Sequence, residues 1–136
     1  MRLRTVFALA ALAIAVPACT VYTVEVGSVS SDGTVYLGFN LYSAKGKTER
    51  EEFPIGQQHG AFSALRIKAD KAVAINRMTV VFADGERFNT NVPAQMSAGW
   101  SAPMVLPRGP RPIHSVVIVA TSQGKGLASI EVYGTR

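Results

Sequence analysis

The sequence predicts an all-β chain, a single antiparallel β-sandwich of about seven or eight strands. Three observations carry that expectation. Apolar and polar residues alternate with a period of two over most of the chain beyond residue 20. β-Branched residues fill these segments, and Asp-Gly and other glycine-containing turn signals separate them. No stretch after Cys19 repeats its apolar residues at the three- and four-residue spacing of an amphipathic helix.

Taken in order, residues 19–33 read as a tether with room for a first short strand at 21–26, closed by the turn signal Asp32-Gly33. Residues 34–42 are predicted as a strand with Val35, Leu37, Phe39 and Leu41 on one face. Residues 44–48 form a polar loop. Residues 49–55 are charged and then apolar, and Pro54 assigns them to a sheet edge or a strand end. Residues 62–69 form the next strand, with Leu65 and Ile67 inward and Arg66 and Lys68 outward. In Val73–Phe82 the apolar parity changes across Asn76-Arg77, which predicts a β-bulge. Asp84-Gly85 joins that strand to residues 86–92 in a predicted hairpin. Trp100, Ala102, Met104 and Leu106 alternate as a further strand, followed by a proline-stiffened loop at 107–112. Residues 116–120, flanked by Ile113, are a continuous apolar run, the pattern of a central strand covered on both faces. Residues 127–133 close the fold, with Ala128, Ile130 and Val132 inward.

The N-terminus has a different character. Arg2 and Arg4 precede an apolar run at 6–16, which ends in Val16-Pro17-Ala18-Cys19. This is the order of an export signal. The run is shorter than the roughly 20 residues that span a bilayer. Cys19, the chain's single cysteine, sits where the pattern resembles the lipid acceptor of a bacterial lipoprotein. An ordinary signal peptide cut after Ala18 or Ala15 is the alternative, and Pro17 departs from the usual lipoprotein pattern. A free thiol without a disulfide partner in an oxidising compartment favours acylation. The expected division is a signal peptide at 1–18, the tether at 19–33 and the sandwich at 34–136. The lipoprotein resemblance implies the periplasmic face of the outer membrane or the cell surface, since Thr20 and not Asp follows Cys19. Without the lipid the chain is expected to be periplasmic or secreted.

Fourteen Lys and Arg stand against nine Asp and Glu, and loss of Arg2 and Arg4 with the signal leaves twelve against nine, or +3. So mild an excess does not call for a nucleic-acid partner, and export argues against one. The expected partners are a membrane, through the anchor, and an envelope protein or glycan.

From Leu37 to Gly134 the chain resembles a family of small exported bacterial proteins known mainly as a domain of unknown function. The residues carrying this resemblance are Leu37-Gly38, Phe62-x-x-Leu65-Arg66-Ile67-Lys68, Val80-x-Phe82-x-x-Gly85 and Gly99. Leu106-x-x-Gly109-x-Arg111-x-Ile113-x-x-Val116 and Ala128-x-Ile130-x-Val132-x-Gly134 complete it. It implies an all-β exported domain and supplies no catalytic residues. Arg111 is the one polar match that packing alone does not explain.

No constellation for catalysis stands out. His59 and His114 lie in unrelated segments, without the ligand spacing of a zinc site, and neither Asp-Gly pair has the further oxygen ligands of a calcium loop. No metal or cofactor is expected. His114 and Ser115 are strand neighbours and point to opposite faces, so they form no dyad. Glu49, Glu51 and Glu52 read as a charged edge strand. Arg108, Arg111 and His114 flank the proline loop beside Trp100, and are the candidate ligand site, since arginine suits planar anions. The plainer reading pairs Arg111 with an acid and buries Trp100 in the core. A non-enzymatic binding or structural role is the leading expectation. The rival is a small hydrolase of envelope polymers using Glu51 or His114.

Overall fold

The computed structural model describes residues 26–43, 47–90 and 92–136. The signal segment, Cys19 and nearly all of the tether's expected strand lie outside the described residues. In chain order the strands are β1 (Val35–Tyr42), β2 (Glu49–Pro54), β3 (Ala61–Phe62), β4 (Ala64–Ala69), β5 (Val73–Phe82) and β6 (Arg87–Asn89). They continue with β7 (Gln95–Met96), β8 (Gly99–Trp100), β9 (Met104–Val105), β10 (Arg111–Ser122) and β11 (Ala128–Thr135). A single 3-10 turn at Gln57–His59 is the one helical element among the described residues.

The strands form two antiparallel sheets packed face to face, the expected β-sandwich. The first sheet runs β1-β11-β4-β8, with β9 also on β4. The second runs β2-β10-β5-β6, with β3 on β10 and β7 on β5. The long apolar run is central as expected: β10 lies between β2 and β5 with Val116 and Ile118 fully buried. β11 is its counterpart in the first sheet, with Ala128, Ile130 and Val132 turned to the core. The bulge expected at Asn76-Arg77 is present: Ile75 and Arg77 face the consecutive residues Ala120 and Val119, so Asn76 is the extra residue. The Asp-Gly hairpin also forms, through a three-residue loop in which Gly85 takes φ +91 and its N–H donates to Phe82 O at 2.9 Å.

Three expectations need correction. The first is the inward set of residues 34–42. A bulge at Leu37-Gly38, both opposite Val132, reverses the strand's parity. Val35 and Leu37 point in, but Phe39 and Leu41 point out and are 57 % and 46 % exposed. Tyr42 takes the inward place instead, fully buried, with its hydroxyl donating to Ile118 O across the sandwich at 3.2 Å. Burial pushes that phenol far above its ordinary range, and the nearby Glu51 and Glu49 add to the effect.

The second is the single strand expected at 62–69. The chain changes sheets at Ser63, so β3 belongs to the second sheet and β4 to the first. Ser63 N donates to Thr135 O at 2.8 Å, and its carbonyl accepts from Leu106 N at 2.9 Å. The third is the run from Trp100 to Leu106, which is broken by Ser101. That hydroxyl oxygen accepts the Ile67 N–H at 3.0 Å, and on either side of the break Trp100 faces outward while Met104 and Leu106 are buried.

A short turn leads into β1. Ser30 Oγ donates to Asp32 Oδ1, and Thr34 N donates to the same oxygen at 3.1 Å. These bonds, the serine hydroxyl first, hold the Asp32 carboxyl down at about 2 against an ordinary 3.8. A depressed folded-state pKa contributes stability that is present above the unfolded value and is lost as pH falls through the folded one. Acid titration is therefore expected to weaken this turn between 3.8 and about 2. NMR of the Asp32 side chain should show the low midpoint, and Asp32→Asn should flatten the pH dependence of stability in that window.

Candidate functional site

Arg108 and Arg111 do come together, and acids meet them. Arg111 Nη2 lies 3.0 Å from Asp84 Oδ2 and 3.1 Å from Glu86 Oε2, and Arg108 Nη2 lies 2.9 Å from Glu86 Oε1. The Asp-Gly hairpin thus delivers two carboxylates to the loop that carries the arginines. The Arg111 guanidinium also stacks on the Phe82 ring, 3.7 Å from its centroid, with its side chain only 12 % exposed. Nη1 is buried without a hydrogen-bond partner, so the ring's π face supplies its compensating attraction. The N–H of Glu86 does most to lower the Asp84 carboxyl; desolvation opposes it, and the Arg111 guanidinium adds to the lowering. In this network the Arg111 charge is spent on the protein's own carboxylates.

Trp100 is elsewhere. It lies on the outer face of the first sheet, 45 % exposed, with Tyr133 at 4.6 Å and the Arg66 guanidinium 4.9 Å from its ring. His114 is exposed at the rim of a depression on the outer face of the second sheet. Glu51 shares the inward side of β2 with Phe53, so it does not converge with His114.

The second sheet's outer face holds a cluster not foreseen from the sequence. Strand order and register set it. Val117 on β10 stands between Glu52 on β2 and Thr79 on β5, and Thr79 pairs with Asn89 on β6. One row along, Val119 stands between Arg50 and Arg77. On the opposite side Arg87 pairs with Val81. Arg50, Arg77 and Arg87 therefore ring the apolar floor of Val117, around a depression of about 240 Å³. All three are exposed, and none forms an ion pair among the described residues. Thr79 Oγ1 donates to Asn89 Oδ1 at 2.7 Å, which leaves the Asn89 amide nitrogen as a further donor at the rim. Glu52 is the single acid among the outward residues of the strands that form this face.

Three guanidiniums with an apolar floor favour an oxyanion with planar or tetrahedral oxygens. The sequence reading put the three arginines in three separate segments, Arg77 at the expected bulge, and singled out none of them. Their convergence was not visible, because it depends on the order β2-β10-β5-β6, which joins residues far apart in the chain. Among the described residues no three of His, Cys, Asp and Glu gather as metal ligands.

Comparison with known families matches residues 9–134 to one described as Domain of unknown function (DUF2541). No curated protein and no solved structure matches the chain.

Proposed function

The chain belongs to the DUF2541 family, a domain of unknown function, and from that premise we propose a lipid-anchored envelope protein whose sandwich binds phosphate-class anions without chemical turnover. The export signal and Cys19 supply the anchor, and the outer face of the second sheet supplies the binding surface. The observation that carries the binding half is the cluster of Arg50, Arg77 and Arg87, charged and free of acidic partners among the described residues. The anchor half rests on the order Arg2, Arg4, apolar run, Val16-Pro17-Ala18-Cys19. Two or more acyl chains on Cys19, at about 0.8 kcal/mol per buried CH₂, hold a protein on a membrane stably.

Two measurements test the reading. Cys19→Ser is expected to move the protein from the membrane fraction to the soluble one, and the mass of the native N-terminal peptide is expected to exceed its residue mass by the acyl chains. An unmodified peptide mass removes the anchor. The released Cys19→Ser protein then serves for binding. Titration with inorganic pyrophosphate and flotation with phosphatidylglycerol vesicles separate a free anion from a lipid headgroup. Arg77→Glu is expected to weaken whichever binding occurs by about tenfold or more, since a charge-assisted hydrogen bond contributes about 1.5–3 kcal/mol. Raising the salt is expected to weaken it in parallel. Equal binding by the parent and by Arg77→Glu overturns the arginine site.

A further inference from the structure

The outer face of the first sheet carries a separate inference, independent of the arginine face. Register sets its side chains in rows. Glu131 on β11 stands beside Lys68 on β4, and Lys68 beside Trp100 on β8. In the next row Tyr36 on β1 stands beside Tyr133 on β11, and Tyr133 beside Arg66 on β4. Trp100 and Tyr133 belong to strands that β4 separates, about 9–10 Å apart. Their ring centroids are nevertheless only 4.6 Å apart. The indole therefore leans across β4 instead of standing up from the sheet. Arg66 and Lys68 approach it there, at 4.9 and 5.4 Å from the ring centroid, and Trp100 is still 45 % exposed. Tyr36 meets Tyr133 edge-on at 5.4 Å and holds it from the other side.

Three charges border the ring, and none is spent on another. Arg66 Nε donates to Ser101 O at 3.2 Å, which leaves both amino groups of its guanidinium as further donors. Tyr133 Oη donates to Glu131 Oε2 at 2.9 Å, which leaves Oε1 as an acceptor. No ion pair joins Arg66, Lys68 or Glu131 to a partner among the described residues. The segment at Gly27–Val29 bonds to β1, at the opposite edge of this sheet, and β11 and β4 stand between it and β8.

We propose that this surface binds a glycan, with the flat C–H face of a β-1,4-linked pyranose laid on Trp100. Equatorial substituents leave only axial C–H bonds on the faces of such a sugar ring, an apolar plane that matches the indole. Its hydroxyls both donate and accept. They give hydrogen bonds to Glu131 and take them from Arg66 and Lys68, so every group around the ring has a use. Other ligands use less of the set. Acyl chains strip water from three charges and return no hydrogen bonds. A phosphate meets the Glu131 carboxylate and gains nothing from the ring.

Trp100 is the chain's single tryptophan, so its fluorescence reads this surface alone. In the Cys19→Ser protein, the β-1,4-linked tetramers of glucose and of N-acetylglucosamine are the probes. At millimolar concentrations, at least one of them is expected to shift the Trp100 emission saturably. By calorimetry, Trp100→Ala is expected to weaken that binding by about tenfold or more, with unchanged far-UV circular dichroism. Trp100→Phe keeps an aromatic face and is expected to recover part of the loss. Added salt is expected to leave sugar binding unchanged, because the ligand has no charge, while pyrophosphate binding at the arginine face falls. Pyrophosphate binding is in turn expected to survive Trp100→Ala, so the two surfaces fail separately. No saturable shift with either tetramer overturns the inference, and so does sugar binding that Trp100→Ala leaves intact. An emission shift caused by phosphatidylglycerol vesicles and not by the sugars overturns it in favour of a membrane surface.

Discussion

Gly134→Ala is expected to cost about 2–3 kcal/mol, the upper range for a single added carbon in a packed core. Gly134 lies on the inward side of β11, between Val35 and Leu65 on the neighbouring strands. A Cβ there falls 2.5 Å from Phe62 Cδ1 and 2.8 Å from Cε1. The ring is fully buried and has little room to withdraw, since β3 is tied to β10 on one side and Ser63 to Thr135 on the other. Backbone strain is not the cause, because the glycine's own dihedrals are open to other residues; the clash is purely steric. For a domain of this size, a loss of that order lowers the melting temperature by about 10–20 °C. Phe62→Leu alone opens a small gap and is destabilising by itself. Combined with Gly134→Ala it is expected to cost less than the sum of the two, because the methyl occupies the space the ring vacates. Calorimetry on the four proteins of this cycle measures the coupling, and strict additivity refutes the contact.

The second large effect is expected at Arg111. Arg111→Ala removes the contact with the Phe82 ring and both ion pairs, and leaves Asp84 and Glu86 without their shared cation. Stacking of a desolvated guanidinium on an aromatic ring contributes about 0.5–2 kcal/mol, and the lost packing of its stem adds to that. A total near 2 kcal/mol is expected from denaturant melts. Arg111→Lys should recover less than half, since an ammonium cannot lie flat on the ring while bridging two carboxylates. Anion binding at the Arg50–Arg77–Arg87 face is expected to be unchanged, because Arg111 lies outside that depression. A variant that keeps its stability but loses anion binding reverses this assignment and returns Arg108 and Arg111 to the role of ligand site.

Most of the sandwich was legible because its signal is local. Alternation over Val73–Phe82 located both the strand and the bulge at Asn76, and the apolar run at 116–120 identified a central strand. The misreadings share one physical cause. At Leu37-Gly38, Ser63 and Ser101 the chain shifts parity or changes sheets, and each shift is set by a partner strand distant in sequence. Val35, Leu37, Phe39 and Leu41 have the alternation of one face; only pairing with Val132 shows that Phe39 and Leu41 belong to the other. Trp100 looked like core for the same reason. The Arg111 acid pairing could be anticipated, because Asp84-Gly85 announced its hairpin. The arginine face could not, since Arg50, Arg77 and Arg87 become neighbours only when β10 inserts between β2 and β5.

That insertion also orders events in time. The two strands on which the sheets depend, β10 and β11, occupy the last 26 residues of the chain, Arg111 to Arg136. Before they arrive, β1 is joined among the described residues only by the short segment at Gly27–Val29, and β2 and β5 have nothing between them. The earlier strands can pair locally, β5 with β6 and β4 with β9, but neither sheet is complete until residues 111–135 join it. On the export proposed above, a chain threaded through a translocation pore from its N-terminus would cross without its two central strands paired, which keeps it in the unfolded form that such a pore requires.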